Sequence, residues 1–256
     1  MSPAGGAGET SAGTGQRRRS GSVLFAALAL LGVAVFVALG IWQLERKVWK
    51  LDLIARVDRR VHAAAVPAPG PADWPAITAR ADEYRHVRLH GLFLNDGETL
   101  TQAVTELGSG FWVITPMRTD QGFVVLVNRG FVPSDRKEAG SRGQGRIDGD
   151  TDVVGLLRMS EPGGGFLRSN DPKAGRWYSR DVAAIASARG LKEVAPYFVD
   201  ADASPNAGGW PRGGLTVVQF RNTHLVYALT WFGLAAMTLL LTIRSLFDLR
   251  SRRSAG

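Results

Sequence analysis

The sequence predicts a membrane protein in which two transmembrane α-helices flank one mostly antiparallel β (α+β) extracytoplasmic domain. Three observations carry that expectation. Residues 23–44 and 225–243 are uncharged, apolar runs, each long enough at about 1.5 Å per residue to cross a hydrocarbon layer of roughly 30 Å. Between them the hydrophobic pattern shifts to short period-two segments punctuated by Gly, Pro, Asn and Asp, which is the rhythm of half-buried strands. The third observation is charge. The chain of 256 residues has 31 Lys+Arg against 23 Asp+Glu, a net +8, and much of the excess lies beside the two apolar runs. Membrane-flanking charge accounts for that placement, so no nucleic acid partner is expected.

Residues 1–22 are rich in Gly, Ala, Ser and Thr and contain Arg17-Arg18-Arg19. Such a segment buries too little apolar surface to offset chain entropy, and it reads as a disordered tail. Residues 23–44 form the first predicted span. A cleaved signal peptide is the competing reading, with Ala38-Leu39-Gly40 as a small-x-small site. The run is longer than the roughly 7–15 apolar residues of a signal sequence, and it continues into Ile41-Trp42, so a retained helix is expected. Residues 45–65 read as a helical stalk: Leu44, Val48, Leu51, Ile54-Ala55 and Val57 recur at helical spacing among charged neighbours. The prolines of Val66-Pro67-Ala68-Pro69-Gly70-Pro71 then force an extended linker.

Residues 66–221 make the β-rich domain. Strands are expected at 86–94, 111–117, 122–131, 151–158 and 195–199, with Asn95-Asp96-Gly97 turning the first back into a hairpin partner at 98–104. Residues 139–150 read as a flexible glycine-rich loop, and 203–214 as another loop. Asp181 is placed to cap a short helix over 182–189, closed by Gly190. The second span covers 222–243, and the tail at 244–256 sets four arginines (Arg244, Arg250, Arg252, Arg253) against Asp248. Both tails are therefore expected in the cytoplasm or an organelle matrix, with the domain on the other side of the bilayer.

Several chemistries find no residues here. Cysteine is absent, which removes disulfides, thiolate metal sites and thiol nucleophiles. The sequence has no phosphate-binding Gly-rich loop, no G-x-S-x-G elbow and no H-E-x-x-H. The chain is not expected to be an enzyme. What stands out instead is Arg221-Asn222-Thr223-His224-Leu225-Val226-Tyr227-Ala228-Leu229-Thr230-Trp231, at the mouth of the second span. His224, Tyr227, Ala228 and Trp231 fall at i, i+3, i+4 and i+7, on one helical face. An ionisable group at a membrane boundary is costly unless partnered, which makes His224 a candidate metal ligand; the alternative is an interfacial imidazole bonded to Asn222 or water. Trp231, six residues inside the apolar run and so about 9 Å deep at helical rise, is deep for an interfacial tryptophan and suits either the first helix or a flat ligand. Arg129 and Arg85 are candidates to hold carboxylates, against the alternative of strand-end arginines paired locally. His62 reads as solvated. His86 and His90 share the polar face of a strand and could reach one ligand, but read as surface residues.

Four motifs, in order, resemble one family: Gly40-x-Trp42-Gln43-Leu44-x-Arg46-Lys47; Tyr84-Arg85-x-Val87 with Gly91-x-Phe93; Val127-Asn128-Arg129-Gly130-x-Val132-Pro133; and Asn222-x-His224-Leu225-x-Tyr227-Ala228-x-Thr230-Trp231. The chain is similar, over about residues 23–247, to the Surfeit locus protein 1 family of cytochrome oxidase assembly factors. The resemblance implies a non-enzymatic role: binding haem a transiently and assisting its insertion into subunit 1 of a haem-copper oxidase. It implies His224 as axial ligand, with Tyr227, Trp231 and Arg129 as further cofactor-binding candidates. Implied partners are the oxidase subunit, haem a, the lipid bilayer and the machinery that makes haem a. The competing reading is a membrane-anchored scaffold that stabilises the subunit without touching haem. The implied location is a bacterial inner membrane with a periplasmic domain, or alternatively a mitochondrial inner membrane.

Overall fold

The structure is a computed structural model and describes residues 12–165, 167–216, 218 and 222–254. The chain divides into two compact units, one made of Met1–Ile54 with Phe220–Gly256 and the other of Ala55–Gln219. Two apolar helices at the ends of the chain flank a β-rich domain. Each is long and apolar enough to cross a membrane, over Leu24–Val61 and His224–Asp248.

Helix α1 runs Ala12–Val61 without a break. Residues 12–22, expected as part of a disordered tail, are helical. An apolar helix of this length has already met the cost of nucleation, and adding a turn at its end is cheap even for Gly-, Ser- and Arg-containing sequence. Residues 1–11 of that tail lie outside the described residues. The same helix takes in the expected stalk and stops at Val61, before the prolines. At the other end of the chain, helix α4 (His224–Ser254) carries through most of the expected tail.

In the helical unit, the half-buried and buried positions of α1 include Ala26, Ala29, Val33, Phe36, Gly40 and Gln43, alternating steps of three and four. Those of α4 include His224, Ala228, Trp231, Ala235, Thr238 and Thr242, again at steps of four and three. A 3.5-residue repeat on both helices is the signature of a pair wound along one seam. Contacts fix the direction: Gln43 meets His224, and seven residues back along α1 Phe36 meets Trp231, seven residues forward along α4. The helices are antiparallel. Gly40 lies between these two contacts, and a Cβ there would sit 2.5 Å from the Phe232 ring, so only glycine lets the helices approach this closely.

The second unit contains β1 (Val66–Pro67), the one-turn helix α2 (Ala79–Asp82), β2 (His86–Phe93), β3 (Thr99–Thr105), β4 (Gly108–Thr119), β5 (Val124–Pro133), β6 (Asp150–Met159), the small hairpin β7 (Gly164–Gly165) and β8 (Arg168–Ser169), α3 (Val182–Ala188) and β9 (Val194–Ala201). The main sheet has the order β1-β2-β6-β9-β5-β4-β3, and β2 also pairs with β4. Strands β2, β6, β9, β5 and β4 thus form a closed ring, and closure removes the exposed edges of those five strands. Pairing is antiparallel except β1 with β2 and β5 with β9.

The hairpin expected between 86–94 and 98–104 does not form. Asn95–Gly97 is a short 3₁₀ turn, β3 pairs with β4, and β2 is enclosed between β6 and the far end of β4. Strand β2 is already fully paired by its partners in the ring, so the turn hands the chain outward. The segment at 139–150 is not a free loop either: it contains 3₁₀ turns over Ala139–Gly145, and Arg142, buried inside it, makes two hydrogen bonds to the Glu98 carboxylate.

The ring is filled by Val87, Leu89, Phe93, Met117, Phe123, Val125, Val127, Leu157, Tyr197 and Val199. A second cluster, Ile114, Leu126, Trp177, Val182, Ile185 and Phe198, packs α3 onto the outside. Strand β5 therefore gives Val125 and Val127 to one core and Leu126 to the other. That is why its sequence is a continuous apolar run and not an alternating one. Asp181 caps α3 by accepting from the Ala184 backbone N–H at 3.0 Å. The buried Tyr197 hydroxyl donates to the Pro69 carbonyl at 2.6 Å and pins the proline segment to the ring.

Candidate functional site

In the helical unit the candidate site is built from the first turn of α4 and the facing turn of α1. His224 is the first residue of α4. Its Nδ1–H donates to Oε1 of Gln43 at 2.7 Å. An amide oxygen only accepts, so Nδ1 is the donor and the bond orients the ring. Nε2 has no hydrogen-bond partner among the described residues. An imidazole oriented through one ring nitrogen is the arrangement found in histidine metal ligands.

Seven residues further along, Trp231 stacks on Phe36 of α1, with ring centroids 5.7 Å apart and planes 23° from parallel. Of the two contacts open to Trp231 on sequence grounds, the structure shows the first helix. Ala228 is buried in the seam, leaving room for the neighbouring side chains. Tyr227 is 55% exposed and lies at the margin of the seam, so the two aromatic side chains do not form facing plates around a gap. Gln43 was legible as part of a motif, yet its role was not. The available signal was a lone amide closing an otherwise apolar run, at a depth that an antiparallel partner helix would match to His224. Asn222 lies beside the site with its Oδ1 buried and unbonded among the described residues; Arg221 lies outside the described residues.

The β unit contains the other candidates. Arg129 is 4% exposed. Its Nη2 donates to the carbonyl of Gly145 and to Oδ1 of Asn206, and its guanidinium lies 4.9 Å over the Phe93 ring. Burial pulls this guanidinium below the ordinary arginine value; Glu98 acts to raise it and Arg142 to lower it further. The flanking residues of the Asn128-Arg129-Gly130 motif also have defined work. Asn128 donates to Asp200 at 2.7 Å. Gly130, at φ +129°, lies so close to the Arg212 carbonyl that a Cβ would be 2.1 Å from its oxygen.

Asp200 is the hub of a buried ion network. It accepts from Asn128, from Arg158 at 2.8 Å, from Arg180 at 3.0 Å and from the Thr216 hydroxyl at 2.9 Å. Arg158 also donates to Glu83 at 2.8 Å, and Arg180 to Glu161 at 3.0 Å. Burial alone would lower the Arg158 guanidinium, but Asp200 and Glu83 outweigh it and hold the group above its ordinary value. No sequence signal marked this network, because its members lie far apart in the chain.

Arg85 pairs with Asp82 at 3.3 Å. His86 bonds the Ala63 carbonyl at 2.7 Å and His90 bonds Asp152 at 3.0 Å, so the two do not converge on one ligand. His62 is exposed and bonds the Asp58 carbonyl. No cluster of three or more His, Asp or Glu able to hold a metal ion occurs among the described residues.

A family model described as SURF1 family matches residues 30–236. The chain belongs to the SURF1 family. It is 38% identical to Surfeit locus protein 1 of Homo sapiens over 82% of this chain and 73% of that protein. It is 39% identical to Surfeit locus protein 1 of Mus musculus, over 82% and 71% respectively. Against the SURF1-like protein of Monosiga brevicollis it is 37% identical over 90% of each chain. The SURF1 match takes in both Gln43 and His224, together with the whole ring of strands.

Proposed function

We propose that this SURF1 protein is a two-span membrane protein that binds haem a through His224 and assists its insertion into subunit 1 of a haem-copper oxidase, without itself being an enzyme. The observation that carries the reading is the Gln43–His224 hydrogen bond, which orients the ring through Nδ1 and leaves Nε2 without a partner among the described residues. Haem a has an apolar tail and lives in the bilayer, so a carrier needs its ligand at lipid level. An imidazole at the rim of an apolar helix meets that requirement. One protein ligand also suits transfer better than two, because release then breaks a single coordinate bond. In this reading His224 supplies the ligand, Gln43 its orientation and the exposed Tyr227 ring an apolar flank, while the helices sit in a bacterial inner membrane with the β domain on the periplasmic side.

One observation favours the alternative of a scaffold that holds the oxidase subunit without haem. The helix seam is already filled, with Phe36 on Trp231 and Phe232 against Gly40, so a macrocycle has no room between the helices at that depth. The test is the visible spectrum of the protein purified from cells that make haem a. The expected result is a haem a band in the wild type that is lost or shifted in His224→Ala. A band indifferent to that substitution removes His224 as ligand, and no band in the wild type selects the scaffold.

A further inference from the structure

The apolar runs of α1 and α4 end at one level, and what lies beyond that level is strongly basic. Counting residue for residue from the Gln43–His224 and Phe36–Trp231 contacts, Val23 lies level with Arg244 and Arg17 with Arg250. The seam persists to this boundary, since Thr242 is buried and Ser245 half-buried. Past it both chains stay helical, back to Ala12 in α1 and on to Ser254 in α4. These extensions carry Arg17-Arg18-Arg19 and the four arginines of the α4 tail against one acid, Asp248. At the opposite end of the pair, Arg46, Lys47 and Lys50 are accompanied by Glu45 and Asp52.

Two antiparallel helices therefore gather like charges at one end, an arrangement that an anion placed between them relieves. Depth selects the anion. At about 1.5 Å per residue, residues 17–19 and Arg250 lie roughly 6–9 Å beyond the apolar runs. The polar headgroup layer on each side of a bilayer is roughly 5–8 Å deep. Large apolar side chains continue into the same stretch, with Leu246 44% exposed and Phe247 65% exposed. Dissolved phosphate leaves an exposed phenyl ring in water, whereas a phospholipid meets arginine with its phosphate and the ring with its acyl chain.

We propose that the arginine-bearing ends of α1 and α4 jointly bind an anionic phospholipid, its phosphodiester held between the two extensions and its acyl chains running back past Phe247 along the apolar stretch. The proposal rests on the two-span reading and is independent of haem. Arginines clustered just outside a span recognise acidic headgroups, and a guanidinium fork matches the two free oxygens of a phosphodiester. The helical form of the two ends matters here, because loose tails would leave their arginines at no fixed distance from one another.

The test is native mass spectrometry of the full-length, delipidated protein in neutral detergent, titrated with phosphatidylglycerol, with phosphatidylcholine of the same chains and with glycerol 3-phosphate. The first phosphatidylglycerol is expected to bind at least tenfold more tightly than phosphatidylcholine, and glycerol 3-phosphate should not displace it. Arg17→Gln, Arg18→Gln and Arg19→Gln together should weaken it about tenfold, as should Arg250→Gln, Arg252→Gln and Arg253→Gln together. Glutamine is close to arginine in helix propensity, so the extensions persist in both variants. Because the two ends make one site, combining all six substitutions should cost little more than either set. Equal affinity for the two lipids, losses that simply multiply, or displacement by glycerol 3-phosphate would each overturn the proposal. The same loss from Arg46→Gln with Lys47→Gln, at the opposite end, would overturn it too. Extraction of the protein from phosphatidylcholine vesicles by alkaline carbonate would overturn the two-span reading itself, whereas retention there without any preference for phosphatidylglycerol would overturn the lipid site alone.

Discussion

Asp200 in the ring of strands and His224 at the start of α4 are both half-buried or buried polar groups in apolar surroundings, and they differ in how completely they are satisfied. Asp200 accepts from four side chains, and its two arginines are in turn held by Glu83 and Glu161. Among the described residues His224 has one hydrogen-bond partner, at Nδ1. A saturated buried network fixes a fold, since every member loses if one moves. A group held on one side only is less constrained than a member of such a network. Arg129 resembles His224 in this respect, since only its Nη2 has hydrogen-bond partners among the described residues.

The sharpest way to break the comparison is to unsaturate the saturated site. Asp200→Ala leaves Arg158 and Arg180 facing each other without their shared acceptor, and removing one partner of a buried ion pair costs about 3–5 kcal/mol. The urea midpoint of the protein should fall accordingly. Asp200→Asn, which keeps the size and one acceptor oxygen, should lose less. A midpoint unchanged by Asp200→Ala would mean that Glu83 and Glu161 hold both arginines unaided.

At the open site the corresponding change is Gln43→Leu. If His224 ligates haem a as proposed, this change should leave the helical content intact and reduce haem a affinity about 10–100-fold, as loss of a ligand's orienting partner generally does. The visible titration that measures this also separates orientation from ligation, because Gln43→Leu should keep the position of the haem band while His224→Ala changes it. Equal loss in both variants would make Gln43 part of the fold and no tuner of the imidazole.

The pairing of these two residues shows what a sequence can and cannot disclose. The two apolar helices, the six longer strands and the capped α3 all follow from periodicities and caps that act within a few residues. Membership of the SURF1 family follows from motifs of the same local kind. The partners do not. Gln43 and His224 are distant in the chain, and so are Asp200 and Arg158, and their contacts depend on how helices and strands are brought together. The hairpin expected after Asn95-Asp96-Gly97 failed for that reason, since the turn signal is local while β2's partners, β6 and β4, are not. The segment at 139–150 departs from the free loop its glycines predict because Arg142 is buried within it and bonded to Glu98, which is distant in the chain.

A gentler perturbation tests whether the open site depends on the seam below it. Gly40→Ala puts a Cβ 2.5 Å from the Phe232 ring and should cost about 1 kcal/mol or somewhat more in thermal stability, the usual scale of modest overpacking. Phe232→Leu should recover part of the loss, a coupling that only direct contact produces. If Gly40→Ala lowers stability without weakening haem a binding, the rim of α4 is set by Gln43 alone. If both fall together, the spacing of the helices sets the imidazole.

The smallest effect is expected at a third polar pair, His90 with Asp152, which is exposed and therefore neither saturated against water nor poised. Its hydrogen bond to Asp152 raises the His90 value above 6.5 in the folded protein, with burial opposing slightly and Asp152, Asp120 and Asp150 adding through charge. A base whose value rises on folding stabilises the fold when protonated. The contribution is thus fully present below pH 6.5, where both states carry the proton, and is lost as pH rises through the higher folded value. An NMR titration of the His90 ring should show a midpoint above 6.5 in the wild type that moves back toward 6.5 in Asp152→Asn, with little change in unfolding temperature because solvent screens the pair. A midpoint indifferent to Asp152→Asn would assign the shift to Asp120 and Asp150. A large change in unfolding temperature would place His90 among the structural groups with Asp200.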